Sequence, residues 1–250
     1  MNAKDSIVGN IYTTFGGDDF IVTSYLGSKE IHIKFLNTGY ETVTANNHIQ
    51  SGLIRDRLKP SLYGVGILGD VETHLEGVRL KEYYLWKDMF YRCYSERFLN
   101  MRPTYKGCSV SDNFKYFSYF KDWCNKQIGF GNKGWHLDKD ILVKGNKIYS
   151  EDTCCFVPKE INVLLVKSNA RRGEHPIGVS YRKGRNKYKA GINNTTGSCF
   201  IGYFDTPEEA FFAYKEVKEN KIKVVAEKWK GLIDQRVYEA LMNYQVEITD

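Results

Sequence analysis

The sequence predicts an α+β chain built from several modules, and three observations carry that expectation. Residues 6–68 alternate short apolar runs with Gly- and Asn-rich turns, a strand-and-turn rhythm of roughly 8–12 residues. From Leu85 the pattern changes: Trp86, Met89, Phe90 and Cys93 recur at the three- and four-residue spacing of a helix. Near the end, three short strand patterns lead into Thr206-Pro207-Glu208-Glu209, which has the residue types of a helix start. A length of 250 residues leaves room for two or three domains, and 42% hydrophobic with 26% charged residues is the make-up of folded protein rather than a disordered chain.

In the first module, 1–75, Ile31, Ile33 and Phe35 alternate with His32, Lys34 and Leu36, the period-2 pattern of a half-buried strand. Phe20-Ile21-Val22 and Glu41-Thr42-Val43-Thr44 are its neighbours, and Gly16-Gly17, Gly27-Ser28 and Thr38-Gly39 supply turns. Short strands so spaced suggest a small SH3-like β-barrel, an accessory module with no catalytic constellation. The segment 64–69 reads as a boundary or an edge strand.

The second module, 80–168, opens with an amphipathic helix from about 82 to 94. A second helix is expected near 112–126, with Asp112 as its cap and Phe114, Phe117, Phe120 and Cys124 as a core stripe. Residues 135–142 alternate like a strand, Gly145-Asn146 makes a tight turn, and 153–157 form the return. Pro158-Lys159-Glu160 then starts a helix bearing Ile161, Asn162, Leu164 and Leu165.

The third module, 171–250, has three short strands at 178–183, 187–193 and 198–204. A helix follows, placing Ala210, Ala213, Tyr214 and Val217 on one stripe, and a last helix near 233–244 closes the chain. Strict alternation sends Val179, Tyr181, Tyr188, Ala190, Ile192, Cys199, Ile201 and Tyr203 toward the helix, and Arg182, Lys187, Lys189, Asn193 and Phe200 away from it. Here the charge concentrates. Residues 167–190 carry eight basic residues and one acid, +7 in 24 residues, against +6 for the whole chain. Such a focus is the footprint of a surface that meets a polyanion, nucleic acid being the commonest, and because a two- or three-stranded ribbon can enter a major groove, double-stranded DNA is the expected partner. Arg171, Arg172, Arg182, Lys183, Arg185, Lys187, Lys189, Asn193 and Phe200 are the candidate contacts.

Two resemblances sharpen this. Gly178-Val179, Tyr188-Lys189-Ala190 and the run Gly202-Tyr203-Phe204-Asp205-Thr206-Pro207-Glu208-Glu209-Ala210 resemble the AP2 DNA-binding domain. That implies a sheet whose outward side chains lie in a DNA groove; Ser180 and Gly191 depart from the residues usual there, so no base preference carries over. Residues 136–162 resemble the HNH (ββα-metal) motif as it stands before AP2 units in phage and mobile-element, homing-endonuclease-like nucleases. The matching residues are Leu137, Asp138, Gly145, Asn146, Tyr149, Ser150, Cys154, Phe156 and Asn162, with Trp86, Met89, Arg92 and Cys93 upstream.

The HNH resemblance implies a Mg2+-dependent DNA endonuclease. Asp138 and Asn162 are the candidate ligands, with Asp140 as an alternate. An all-oxygen set of this kind suits Mg2+. Lys139 stands where the motif has its histidine base, and His136 lies two residues earlier on the same strand face; His136, Asp138 and Lys139 form the candidate catalytic set. Asn146 is expected to shape the loop. Two other readings stay open: a catalytically degenerate DNA-binding or regulatory protein, and a phage factor that binds a host protein, or itself, through the barrel. No paired C-x2-C spacing suggests zinc, and the six cysteines are expected to be reduced thiols of a cytoplasmic protein, with Cys154 and Cys155 divided between core and surface. No apolar run is long enough to predict a membrane span.

Overall fold

The computed structural model describes residues 7–166, 174–194 and 197–250. Helices and strands are mixed, as an α+β chain requires, and the contacts divide the chain into two compact units, with the division between Asp122 and Trp123. No helix among the described residues is long and apolar enough to cross a membrane.

The first unit begins with strands β1 (Ile11–Thr13), β2 (Asp19–Gly27), β3 (Glu30–Phe35) and β4 (Glu41–Thr44), paired antiparallel in that order. Their inward residues Phe20, Val22, Ile31, Ile33 and Phe35 are buried together with Tyr40 and with Ile49 of helix α1 (Asn46–Ser51). The sheet is an open meander, which corrects the expected barrel: among the described residues no strand pairs β4 back to β1. The segment that could have supplied a closing strand makes isolated bridges instead, Leu62 to Gly66 and Ile67 to Tyr116.

After the small hairpin β5 (His74–Leu75) and β6 (Val78–Arg79) come α2 (Lys81–Tyr94), α3 (Glu96–Met101), the two-residue strand β7 (Ser109–Val110) and α4 (Phe117–Asn125). Trp86, Met89, Phe90, Phe114, Phe117 and Phe120 are all buried, so these aromatic stripes are core. The Trp86 indole donates to the Phe114 carbonyl at 2.8 Å. Asp112 does not cap a helix: its carboxylate accepts from Lys115 Nζ at 2.7 Å, and a 3-10 turn, Asn113–Lys115, precedes α4.

In the second unit, β8 (Trp135–Asp138) pairs with β10 (Cys155–Pro158), and the two-residue strand β9 (Ile148–Tyr149) lies between them in sequence. Helix α5 (Lys159–Leu164) leaves β10 directly at Pro158, giving a strand-loop-strand-helix order. β8 stops at Asp138, well short of the expected 142, because the Asp138 carboxylate accepts from the amides of Asp140 and Ile141 and turns the chain. Cys154 and Cys155 are both buried, not divided between core and surface; burial raises both thiols, that of Cys154 to about 12.

Three strands follow, β11 (Val179–Arg182), β12 (Lys187–Asn194) and β13 (Gly197–Phe204), in that spatial order. The capping box at Thr206 is complete: its hydroxyl accepts from Glu209 N at 3.2 Å and the Glu209 carboxylate accepts from Thr206 N at 3.2 Å. It opens α6 (Pro207–Trp229), longer than the sequence pattern suggested. Ala210, Phe211 and Tyr214 cover the sheet, whereas Ile222, Val225 and Ala226 join a second core with Cys155, Val157, Ile161 and residues of α7 (Gln235–Met242). Val217 falls where the helix passes from one core to the other and is exposed, a departure from the expected stripe.

Candidate nucleic-acid interface

The outer face of the β11–β13 sheet is set by one irregularity. Ala190 pairs with Gly202 but Gly191 pairs with Phe200, so Ile201 is an extra residue on β13. A bulge of this kind reverses the alternation beyond it. Ile201 and Phe204 therefore pack on the helix side, with Val179, Tyr188, Ala190 and Ile192, while Tyr203 turns outward. That corrects the inward placement of Tyr203; Cys199 and Tyr181, also expected inward, are exposed, the Tyr181 ring 5.1 Å from Tyr188 and its hydroxyl donating to Asn186.

Outward-facing Phe200 and Tyr203 make an aromatic pair, centroids 5.0 Å apart and tilted by 53°. Lys189 Nζ lies 5.7 Å from the Phe200 ring and the Arg185 guanidinium 4.8 Å from the Tyr203 ring. Such contacts hold long cationic side chains over the sheet without neutralising them. Lys187 is different: its ammonium binds Asp205 at 2.6 Å. Among the described residues, no carboxylate pairs with Arg182, Lys183, Arg185 or Lys189. Arg171 and Arg172, and the Asn193 side chain, lie outside the described residues.

The sheet is seated on α6 by close approach. Gly178, at φ +78°, leaves room for the Tyr214 ring, which a Cβ there would meet at 2.1 Å. The capping box fixes where α6 starts relative to β13, two residues after Phe204.

The second candidate cluster lies in the loop after β8. Lys139 is buried, its ammonium bound to the Asp140 carboxylate and to the Asn146 carbonyl at 2.8 Å, above the Tyr149 ring. Asn146 donates to the carbonyls of Lys139 (2.8 Å) and Ile148 (2.7 Å) and accepts from Ile148 N. Lys139, Asp140 and Asn146 thus form a self-satisfied clasp. Lys139 is buried in this clasp and not presented as an exposed catalytic group, and one oxygen of Asp140 is already engaged by its ammonium.

Asp138 is another matter. Among the described residues only its Oδ1 accepts hydrogen bonds, from Asp140 N at 2.7 Å and Ile141 N at 2.9 Å, and Oδ2 is not a buried orphan. Burial raises its pKa above the ordinary carboxylate value, with the two amides and Lys139 acting in the opposite direction. A carboxylate carrying that penalty and a free oxygen fits one position of a divalent cation, which would offset the penalty. His136, exposed, is on the same strand face, opposite Val157 as Asp138 is opposite Cys155. Asn162 is partly exposed on α5. No hydrogen bond joins His136 or Asn162 to Asp138, and among the described residues no three or more His, Cys, Asp and Glu side chains gather as a metal site.

The Asp138 environment has a pH signature. Its folded-state value lies above the unfolded one near 4. In the window above pH 4, the folded chain keeps a proton that the unfolded chain has released, so stability falls as pH rises through it. Asp138→Asn retains an oxygen for both amides and removes the charge. Thermal melts are expected to show the variant at least as stable as wild type at pH 7, with its relative advantage shrinking as pH approaches 4; a variant advantage that instead grows toward pH 4 contradicts this.

Two features of this unit were not anticipated. Tyr203 belongs to the outer face, and the glycines at 191 and 202 were the signal of a bulge, since glycine inside a strand pattern marks one. Lys144, in the β8–β9 loop, binds the Asp250 carboxylate at 2.9 Å and the Gln245 carbonyl at 3.0 Å, tying that loop to the segment after α7; no local pattern links residues so far apart in sequence.

No protein-family model, curated protein or solved structure matches this chain.

Proposed function

We propose that this chain is a DNA-binding protein that engages duplex DNA with the outer face of the β11–β13 sheet. One observation carries the reading: four cations, Arg182, Lys183, Arg185 and Lys189, sit on or beside one sheet face with no acidic partner among the described residues. A sheet of this width enters a major groove with its side chains toward base edges while flanking cations meet phosphates. Lys187 contributes less, because Asp205 already holds it. Four neutralised phosphates give a slope of log K against log[salt] of about −3.6. Fluorescence anisotropy of a labelled duplex across a salt series measures it, and a slope near zero removes the proposal.

A second reading, phosphodiester cleavage, is favoured by the strand-loop-strand-helix order together with the free oxygen of Asp138. In it Asp138 and Asn162 would hold a divalent cation, and exposed His136 would take a proton from the attacking water. A bound Mg2+ supplies charge offset at the phosphate and a more acidic water. Supercoiled plasmid with Mg2+ is then nicked by wild type, and Asp138→Ala lowers the rate by roughly 100-fold or more. Equal background from both proteins leaves a DNA-binding protein without nuclease activity.

A further inference from the structure

We infer that the centre of this sheet reads the C5-methyl group of pyrimidines, thymine above all, through Phe200, with Tyr203 bracing it. The inference rests on the duplex-binding reading and adds a base preference to it. Phe200 is 52% exposed on a face otherwise furnished with cations. Its cross-strand partner is Gly191, which has no side chain, so beside the ring lie only backbone and the stem of Lys189. On the other side the bulge brings Tyr203 out to within 5.0 Å, and Tyr203 is itself held by Arg185. Lys189, paired across the strands with Tyr203, reaches back over the Phe200 ring. The phenyl group is thus propped at the middle of the face with positive charge at its margins.

A phenyl ring has no donor or acceptor. The floor of a major groove is lined with polar atoms at guanine, adenine and cytosine, and pressing an apolar ring on them strips their water without replacement. Thymine alone among the four bases offers an apolar group there, its methyl. The ring gains by covering that methyl and loses over an unmethylated cytosine edge. The same logic extends to 5-methylcytosine, which carries the methyl in the same place. Tyr203, partly exposed at 39%, lends its ring edge to the contact and keeps its hydroxyl for water or phosphate.

The test uses the full chain and two pairs of short labelled duplexes that differ only in the methyl: alternating dA-dT against dA-dU, and alternating dG-dC against its 5-methylcytosine form. Wild type is expected to bind the methylated member of each pair about four-fold tighter for each methyl covered. Phe200→Ala, at an exposed position that leaves the core intact, is expected to abolish the ratio while keeping the salt slope. Equal affinity within both pairs, with the salt slope present, overturns the methyl reading and leaves duplex binding standing. A ratio that survives in Phe200→Ala overturns it too. Absence of salt-dependent binding to all four duplexes overturns the duplex reading on which it rests.

Discussion

Gly178→Ala is expected to destabilise the C-terminal unit by about 2–4 kcal/mol, in a protein class whose whole stability is roughly 5–15 kcal/mol. Two costs combine. Gly178 has φ +78°, a conformation that costs an alanine on the order of 1 kcal/mol. The added Cβ would also lie 2.1 Å from Tyr214 Cδ2 and 2.4 Å from two further ring atoms, so either the ring or the start of β11 must move. Neither moves freely: Tyr214 is buried in the core between sheet and helix, and the Gly178 carbonyl accepts from Gly191 N at 3.0 Å beside the bulge. Overpacking of that kind costs about 1–3 kcal/mol. Gly231, in the same unit, separates the two causes, because it has φ +75° with nothing within 4 Å of its Cβ position. Urea melts should show Gly231→Ala losing about 1 kcal/mol and Gly178→Ala losing several times more. Equal losses would mean that the Tyr214 contact does not constrain the strand.

Local signals in this chain were legible and long-range ones were not. The capping box at Thr206 is read from four consecutive residues, and it is present with both of its hydrogen bonds. The helix Lys81–Tyr94 and the strand Glu30–Phe35 follow from periodicity alone, because each buries one face. Closure of a barrel, by contrast, depends on pairing between distant segments, and nothing in residues 6–68 distinguishes an open meander from a closed one. The face taken by Tyr203 depends on a one-residue bulge, which alternation cannot register until glycine positions on both strands are weighed together. Lys139 illustrates a third kind of limit. In sequence it is one charged residue in an Asp-Lys-Asp run; only the fold shows that its ammonium is buried among Asp140, the Asn146 carbonyl and the Tyr149 ring, and that Asp138 is left as the carboxylate with an oxygen to spare. The Asp138 turn itself is local, yet strand alternation through Ile141 conceals it.

Removing two of the four cations that no carboxylate holds among the described residues should show how much of the proposed DNA affinity the sheet supplies. Arg182 and Lys189 stand on different strands of one face, Arg182 opposite Lys187 and Lys189 opposite Ser180. Arg182→Ala with Lys189→Ala leaves Lys183 and Arg185, and the expected salt slope falls from about −3.6 to about −1.8. Near 0.1 M salt, that difference corresponds to roughly 60-fold weaker binding, narrowing steadily as salt is raised toward 1 M, where counterion release no longer favours the complex. The salt dependence separates this cause from unfolding, which would weaken binding at every salt concentration alike. Arg182 is exposed and has no acidic partner among the described residues, and the Lys189 ammonium lies over the Phe200 ring with no carboxylate bound, so the double variant is expected to melt within about 0.5 kcal/mol of wild type. Lys29→Ala, an exposed lysine in the turn between β2 and β3, removes net charge without touching the sheet and should leave the slope unchanged. If Lys29→Ala weakens binding as much as the sheet variant does, the attraction belongs to net charge and not to this face. If the sheet variant keeps the wild-type slope, the cations that meet phosphate lie elsewhere on the chain, and the aromatic pair at its centre loses the groove it was proposed to read.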